Sequence, residues 1–139
     1  MDKIIVENKI ESLRKCLLRL EQRCPDTLDA LLRDIDAQDV LVLNISRAVQ
    51  LCVDISLHIL SGREQPVPDT MGQAFSELAS AGIIDDDLAE KMRRLVGFRN
   101  IAVHNYKEIN WAIVYAIAKE NLIDFKQFAK QVLSVLTAN

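Results

Sequence analysis

The segment 99–106, which reads RNIAVHNY, contains three side chains suited to chemistry on a phosphodiester. Arg99 is a permanent cation whose planar guanidinium can hold two phosphate oxygens at once, and His104 can accept or release a proton near neutral pH. These residue types predict a phosphate-binding arginine beside a proton-transferring histidine. The structural alternative is an exposed arginine, a histidine favoured by the helix dipole at a helix C-terminus, and a half-buried anchor in Tyr106.

Helical geometry limits how these side chains can meet. In a helix that turns about 100° per residue, Arg99 and Tyr106 share a face, whereas His104 points about 140° away from Arg99. A single straight helix therefore cannot aim all three into one pocket. Three arrangements remain open: the helix breaks near His104, the long arginine side chain wraps around, or a second copy of the chain completes the site.

The order of these residues matches a known signature. The segment matches the R-x4-H-x-Y motif of HEPN domains, with Arg99, His104 and Tyr106 at its three fixed positions. The whole chain resembles the HepT toxins of MntA-HepT toxin–antitoxin pairs. The length of one small helical domain, the doublet Arg99-Asn100 and a long closing helix support the resemblance. It implies an all-α, HEPN-like, homodimeric ribonuclease that needs no metal ion and whose cleft lies at the two-fold interface.

The resemblance also implies roles for the motif. The protein is expected to be an RNA endonuclease in which the ribose 2′-OH is the nucleophile and the products carry 2′,3′-cyclic phosphate ends. Arg99 would bind the scissile phosphate, and His104 would act as general acid or base. Tyr106 would line the pocket, and Asn100 and Asn105 are further candidates for orienting the imidazole or the phosphate. No cofactor and no metal are expected.

A regulatory partner follows from the same resemblance. It is an MntA-like nucleotidyltransferase antitoxin that uses ATP to attach AMP to the motif tyrosine, here Tyr106. A tethered nucleotide phosphate beside Arg99 would occupy the phosphate site, which gives the blockage a physical basis. Two alternatives stay open: a non-catalytic helical module that holds a nucleotide and partners a nucleotidyltransferase, and a bundle that only dimerises.

Length and composition predict one helical domain over residues 1–139. Half of the residues are hydrophobic, and only four are Gly and three are Pro, which excludes a disordered or fibrous chain. Good helix formers dominate the rest, so the expected fold is an up-down bundle of four to five helices. A net charge of −3 does not fit a general nucleic-acid coat, but it leaves room for a locally basic cleft.

The cysteines and the apolar stretches indicate the compartment. Cys16, Cys24 and Cys52 are an odd number, lack C-x-x-C spacing and lie on helical patterns, which predicts buried thiols in a reducing environment. The N-terminus lacks a signal sequence, and polar residues interrupt the most apolar stretch, 40–60, too often for a membrane span. We therefore expect a cytoplasmic protein without membrane contact.

Apolar residues that recur at three- and four-residue intervals predict the helices. Pro25 ends the first helix, Asp26 or Thr27 caps a short turn, and Pro66 and Pro68 force an extended loop. The predicted helices cover about residues 3–23, 27–32, 39–60, 70–79 and 88–106, followed by 109–118 and 119–136 as two closing helices or one kinked rod, with 34–39 as a link.

Four polar residues recur at intervals of three and four along the second long helix: Arg47, Gln50, Asp54 and His58. This polar stripe is either a solvent face or a surface toward the cleft or a partner subunit, where Asp54 could orient Arg99 or His104. His58 has no second His or Cys at helical ligand spacing, so no metal is expected there. The three aspartates at 85–87 could suggest a metal cluster, but adjacent positions point different ways, so they are expected to cap the next helix instead.

Overall fold

Seven α-helices make up the computed structural model, which describes residues 2–63 and 67–138 and contains no β-strand in those ranges. The predicted all-α bundle is confirmed, and short helices and a divided C-terminal segment raise the number of helices. Pro66 of the predicted proline loop lies outside the described residues, whereas Pro68 lies in no helix. The helices are α1 (Lys3–Arg23), α2 (Leu28–Leu32), α3 (Ile35–Ser61), α4 (Met71–Ser80), α5 (Asp86–His104), α6 (Trp111–Glu120) and α7 (Leu122–Ala138).

The longest helix, α3, is the centre of the fold and packs against each of the other six helices. By length and composition it could cross a membrane, with a mean hydropathy of 1.6 over an 18-residue window. However, 56% of that window is buried inside the protein. Contact with six neighbouring helices accounts for the apolar character of α3, because a helix surrounded by others needs apolar residues on most of its surface.

Side-chain caps set where the helices begin. Thr27 Oγ1 accepts a hydrogen bond from a backbone N–H of α2 at 3.1 Å, and Thr70 Oγ1 accepts one from the Gln73 N–H at 3.1 Å. Of the two candidate caps Asp26 and Thr27, the structure therefore has Thr27. The aspartate run 85–87 also begins a helix as predicted, since Asp85 Oδ1 accepts a hydrogen bond from the first turn of α5 at 2.7 Å.

Residues 34–39 are not a link, so that prediction is wrong: they are the N-cap and the first turn of α3. Asp34 Oδ1 accepts a hydrogen bond from the Ala37 N–H at 3.0 Å and caps the helix. Gln38 Nε2 donates to the carbonyl oxygen of Leu31 at 2.9 Å, which ties this turn to α2. Apolar periodicity did not predict this first turn of α3, because the turn is stabilised by a cap and a tertiary hydrogen bond rather than by an apolar stripe.

Helix α5 ends at His104, two residues before its predicted end. Asn105 has φ −150° and ψ 65°, which is not a helical conformation, and a single 3₁₀ turn follows over Tyr106–Glu108. The prediction that Arg99 and Tyr106 share a helical face is therefore wrong. The helix break near His104 that the sequence left open is present, but it does not bring the three side chains into one pocket.

The C-terminal segment forms two helices rather than one kinked rod, because α6 ends at Glu120 and its C-cap, Asn121, has φ −106° and ψ 8°. Trp111 and Tyr115 of α6 are half-buried against the bundle. The Tyr115 hydroxyl donates a hydrogen bond to the carbonyl oxygen of Asp26 at 2.6 Å, so α6 is attached to the turn before α2.

The three cysteines are free thiols. Cys16 and Cys52 are buried and Cys24 is half-buried, which confirms the prediction of buried thiols for the first two. Burial raises the pKa of all three thiols, so each keeps its proton near neutral pH.

Candidate active site

Arg99 is a half-buried cation that contacts only uncharged groups. Its Nη2 donates to Gln50 Oε1 at 3.2 Å, and its Nη1 makes long contacts of 3.6 Å to Met71 Sδ and 3.5 Å to Asn100 Oδ1. Its Nε is buried without a hydrogen-bond partner among the described residues. A guanidinium that is partly desolvated and bonded to no carboxylate retains its attraction for an anion.

Gln50 connects Arg99 to Asp54. The Gln50 amide accepts the hydrogen bond from Arg99 through Oε1, and its Nε2 donates to Asp54 Oδ1 at 2.9 Å. The acidic residue that the sequence placed near the site therefore reaches the guanidinium only through a neutral amide. This arrangement orients the arginine without neutralising its charge, since the carboxylate accepts from the amide and not from the guanidinium.

The two ends of the polar stripe have other surroundings. His58 Nε2 accepts a hydrogen bond from the backbone N–H of Asp2 at 2.9 Å, so His58 holds the start of α1. Arg47 is exposed and lines a cleft between α1 and α3. Only the middle of the stripe, Gln50 and Asp54, belongs to the surroundings of Arg99.

His104 is the last residue of α5 and is exposed. Its imidazole makes no hydrogen bond or ion pair with any residue that the structure describes. Asn105 uses its backbone N–H to close the helix on the Ile101 carbonyl oxygen at 2.8 Å, and Asn100 contacts Arg99. Neither asparagine is bonded to the imidazole, so both ring nitrogens can meet a substrate.

Tyr106 is bonded to a residue that sequence reasoning did not identify. Its hydroxyl donates to Asp39 Oδ1 at 2.8 Å, and its ring packs edge-on against Trp111 with the ring centroids 6.0 Å apart. Partial burial and the hydrogen bond to the Asp39 carboxylate raise the pKa of Tyr106 to about 12. The phenol therefore keeps its proton at neutral pH, and the atom that accepts its hydrogen bond is a carboxylate oxygen.

Arg99 and Tyr106 contact α3 at two separate places. The partner of Arg99 is Gln50 and the partner of Tyr106 is Asp39, eleven positions earlier on the helix. At a rise of about 1.5 Å per residue, these positions are about 16 Å apart along the α3 axis. The motif is therefore an extended strip along α3 rather than a single cluster of three side chains.

Apolar side chains lie exposed between the polar residues of the motif. Ile101 is 45% exposed and Val103 is 52% exposed, in contrast to the buried Ala102 between them. Within residues 2–63 and 67–138 there is no group of three His, Cys, Asp or Glu side chains placed to hold a metal ion. The chemistry available on this strip is that of the guanidinium, the imidazole and the phenol.

The fold and the site together define an all-α protein with an unneutralised arginine and an open histidine at one helix end, a combination suited to phosphodiesters. A family model described as ribonuclease HepT-like matches residues 13–132, and the chain belongs to this family. The resemblance to HEPN toxins of the HepT type found in the sequence is thereby confirmed.

Two curated relatives are HepT nucleases. The chain is 35% identical over 124 residues to the mRNA nuclease HepT of Shewanella oneidensis, which covers 89% of this chain and 92% of that protein. It is 26% identical over 136 residues to the tRNA nuclease HepT of Aphanizomenon flos-aquae, covering 98% of this chain and 92% of the relative.

Solved structures show the same fold. A toxin–antitoxin structure with AMP-PNP matches with a TM-score of 0.90 and 32% identity over 95% of this chain and 99% of the other. A tri-AMPylated HEPN toxin of Shewanella oneidensis in complex with the MNT antitoxin matches with a TM-score of 0.89 and 33% identity over 96% and 99% of the two chains. The Bacillus subtilis cytosolic protein YutE, at 13% identity and a TM-score of 0.85 over 99% and 92%, shares the fold.

Proposed function

We propose that this protein is an RNA endonuclease and the toxin of a toxin–antitoxin pair, built as one domain over residues 1–139 and acting in the cytoplasm. The observation that carries the proposal is Arg99, a half-buried guanidinium with a free Nε and only neutral partners, five residues before His104, whose imidazole is open. The nuclease names of the HepT relatives support RNA as the phosphodiester.

In the proposed reaction the ribose 2′-OH attacks the adjacent phosphorus. The bond from O2′ to phosphorus forms, the bond from phosphorus to O5′ breaks, and the electron pair leaves with O5′. Arg99 binds the phosphate oxygens and stabilises their growing charge, while His104 takes the proton from O2′ or gives one to O5′. Gln50 and Asp54 position Arg99. The products carry a 2′,3′-cyclic phosphate and a 5′-OH, and no metal ion is required.

The proposed active form is a homodimer with the ends of both α5 helices near the two-fold axis. Arg99 reaches inward to α3, whereas His104 has no partner among the described residues. The exposed Ile101 and Val103 between them supply an apolar surface at the same helix end. A second copy packed there would bring its own Arg99 or His104 to the open side of the site.

The proposed partner is an MntA-like nucleotidyltransferase antitoxin that attaches AMP to Tyr106. The Tyr106 oxygen attacks the α-phosphorus of ATP, the new bond joins that oxygen to phosphorus, and pyrophosphate leaves with the electron pair of the broken bond. Because the phenol keeps its proton at neutral pH, the proton must leave during the attack. Asp39 Oδ1, 2.8 Å from the hydroxyl, is the acceptor.

A cleavage assay tests the nuclease. Purified protein is incubated with single-stranded RNA in excess EDTA, and the ends of the fragments are identified. Cleavage that persists in EDTA and is lost in Arg99→Ala and His104→Ala supports the proposal. Nucleotide binding without any cleavage selects the alternative, a non-catalytic nucleotide-binding or dimerisation module. If light scattering shows that the active protein is a monomer, a site completed by a second copy of the chain is contradicted.

Mass spectrometry after co-expression with the nucleotidyltransferase tests the modification. AMP-sized increments are expected on Tyr106 and none on Tyr106→Phe, which should also escape neutralisation. Asp39→Asn should slow the modification about a hundredfold, with a rate that rises with pH, while Asp39→Glu should restore part of the rate. Trp111 is the only tryptophan, so unchanged emission would show that Tyr106 has not moved.

A further inference from the structure

A cleft between α1 and α3 adjoins the surroundings of Arg99 and shares Gln50 and Asp54 with them, and six of its eight lining residues are polar or charged. Its volume is about 390 Å³, and its walls carry three cations against one carboxylate. The chain as a whole has a net charge of −3, so this local excess of positive charge is a departure from the rest of the molecule. The lining residues are Ser12, Lys15, Cys16, Arg19, Arg47, Gln50, Leu51 and Asp54.

The three cations of the cleft come from both helices and converge on it. Lys15 and Arg19 are one turn apart on α1, and Arg47 projects from α3. The positive charges of Arg19 and Arg47 both act to lower the pKa of the Cys16 thiol, against the larger effect of burial. Two guanidiniums on different helices therefore lie near the same point of the cleft floor.

These cations are available to a ligand. The side chains of Lys15, Arg19 and Arg47 make no hydrogen bond or ion pair within residues 2–63 and 67–138. By contrast, six other cations are paired with carboxylates, namely Arg14, Arg33, Lys91, Arg93, Arg94 and Lys126. The carboxylate of the cleft, Asp54, already accepts a hydrogen bond from Gln50.

The cleft is continuous with the proposed cutting site. Gln50 lines the cleft and also accepts the hydrogen bond of Arg99. An anion held by Arg47 and an anion held by Arg99 would therefore lie on two sides of one glutamine side chain. A polyanionic strand that repeats its phosphate at each nucleotide fits this arrangement, because its successive charges can meet successive cations.

We propose that this cleft is a second phosphate-binding site, in which Lys15, Arg19 and Arg47 hold the backbone of the RNA strand beside the phosphate that Arg99 binds. The proposal rests on the proposed nuclease function. A protein partner fits the cleft less well, because Leu51 is the only large aliphatic residue among the lining residues and no aromatic residue is present. The centres of protein interfaces are usually rich in aromatic side chains, and lysine is depleted there although arginine is not.

Salt dependence of RNA binding tests the site. The variant Lys15→Gln/Arg19→Gln/Arg47→Gln is compared with an equally charged control, Arg14→Gln/Arg33→Gln/Lys130→Gln, whose residues lie outside the cleft. Both carry His104→Ala so that the RNA is not cut. Each lost phosphate contact lowers the slope of log affinity against log salt by about 0.7 for a single strand, so the cleft variant should lose about 2 units. The control should retain the wild-type slope.

Substrate length gives the second readout, with His104 intact. The cleft variant should raise KM for a long single-stranded RNA and leave dinucleotide cleavage unchanged, since a dinucleotide covers only the Arg99 site. Equal slopes in the cleft and control variants would overturn the proposal, as would a loss of antitoxin binding with RNA binding intact. If the wild-type protein cuts no RNA, the nuclease proposal fails, and the binding slopes still decide whether the cleft holds a phosphate backbone.

Discussion

The two parts of α5 have opposite relations to the core. In the first part, residues 86–98, six side chains are buried, whereas in the second part, residues 99–104, only Ala102 is buried. Ile101 and Val103 in the second part are exposed apolar residues, and His104 is open to solvent. The first part of α5 thus anchors the helix in the core. Its last turns can therefore carry side chains that do not pack in the core, at little cost in folding stability.

The largest expected effect is on the exposed part. His104→Ala should lower RNA cleavage about a hundredfold to ten-thousandfold, because it removes the proton-transfer group. The thermal unfolding midpoint should stay close to that of the wild-type protein, since the side chain is exposed and unbonded. Calorimetry beside the cleavage assay checks both. A histidine whose removal lowers the unfolding midpoint by many degrees would be structural, and the contrast between the two parts of α5 would disappear.

The buried part should respond in the opposite way. Leu95→Ala removes a side chain that is 5% exposed and should lower the free energy of unfolding by about 2–5 kcal/mol. Cleavage per folded molecule should change little below the unfolding transition. Urea unfolding and single-turnover cleavage measure the two quantities. Loss of cleavage without loss of stability would mean that the core part of α5 also shapes the site directly.

A smaller effect is expected where α5 meets α3. Gln50→Leu removes the amide that orients Arg99 and should lower kcat/KM about tenfold, which corresponds to about 1.4 kcal/mol, close to the lower end for one hydrogen bond to a charged group. Asp54→Asn should lower kcat/KM by a smaller factor. His58→Gln is the matched control, because His58 lies on the same stripe but its imidazole is hydrogen-bonded to Asp2 at the start of α1. Equal losses in the Gln50 and His58 variants would show a general effect of the stripe.

The smallest effect concerns Tyr106. The difference in phenolate absorbance between the wild-type protein and Tyr106→Phe should titrate at about pH 12 rather than at the usual value of 10.0. Because the folded-state pKa is raised, the contribution of this phenol to stability is complete below pH 10 and is lost as the pH rises toward 12. A titration midpoint near 10 would show that the phenol is neither partly buried nor hydrogen-bonded to Asp39 in solution.

Local patterns predicted the parts of the site that depend on local spacing. Arg99, His104 and Tyr106 lie within eight residues, and the interval between Gln50 and Asp54 is one helical turn, so both sets were visible in the sequence. Asp39 was missed because its contact with Tyr106 spans 67 positions, and no periodicity reports such a contact.

The errors in the fold have a related cause. Ala102 and Tyr106 continue the four-residue apolar spacing of α5, so the pattern extended the helix to Tyr106, whereas the backbone of Asn105 leaves the helical region. In the same way, the polar segment 34–39 lacked an apolar stripe, although Asp34 caps a helix there. Apolar periodicity identifies the helix faces that pack against the core, whereas the positions of helix ends depend on single hydrogen bonds.

The separation of Tyr106 from Arg99 along α3 makes the length of an attached nucleotide chain matter. A phosphate bonded directly to the Tyr106 oxygen begins beside Asp39, about 16 Å along the helix axis from Gln50, the partner of Arg99. Under the proposed modification, a first AMP would therefore place its phosphate beside a carboxylate, and each further AMP would extend the chain. Inhibition should then increase with the number of attached AMP units. The nucleotide chain should block Arg99 fully only once it is long enough to span the distance along α3.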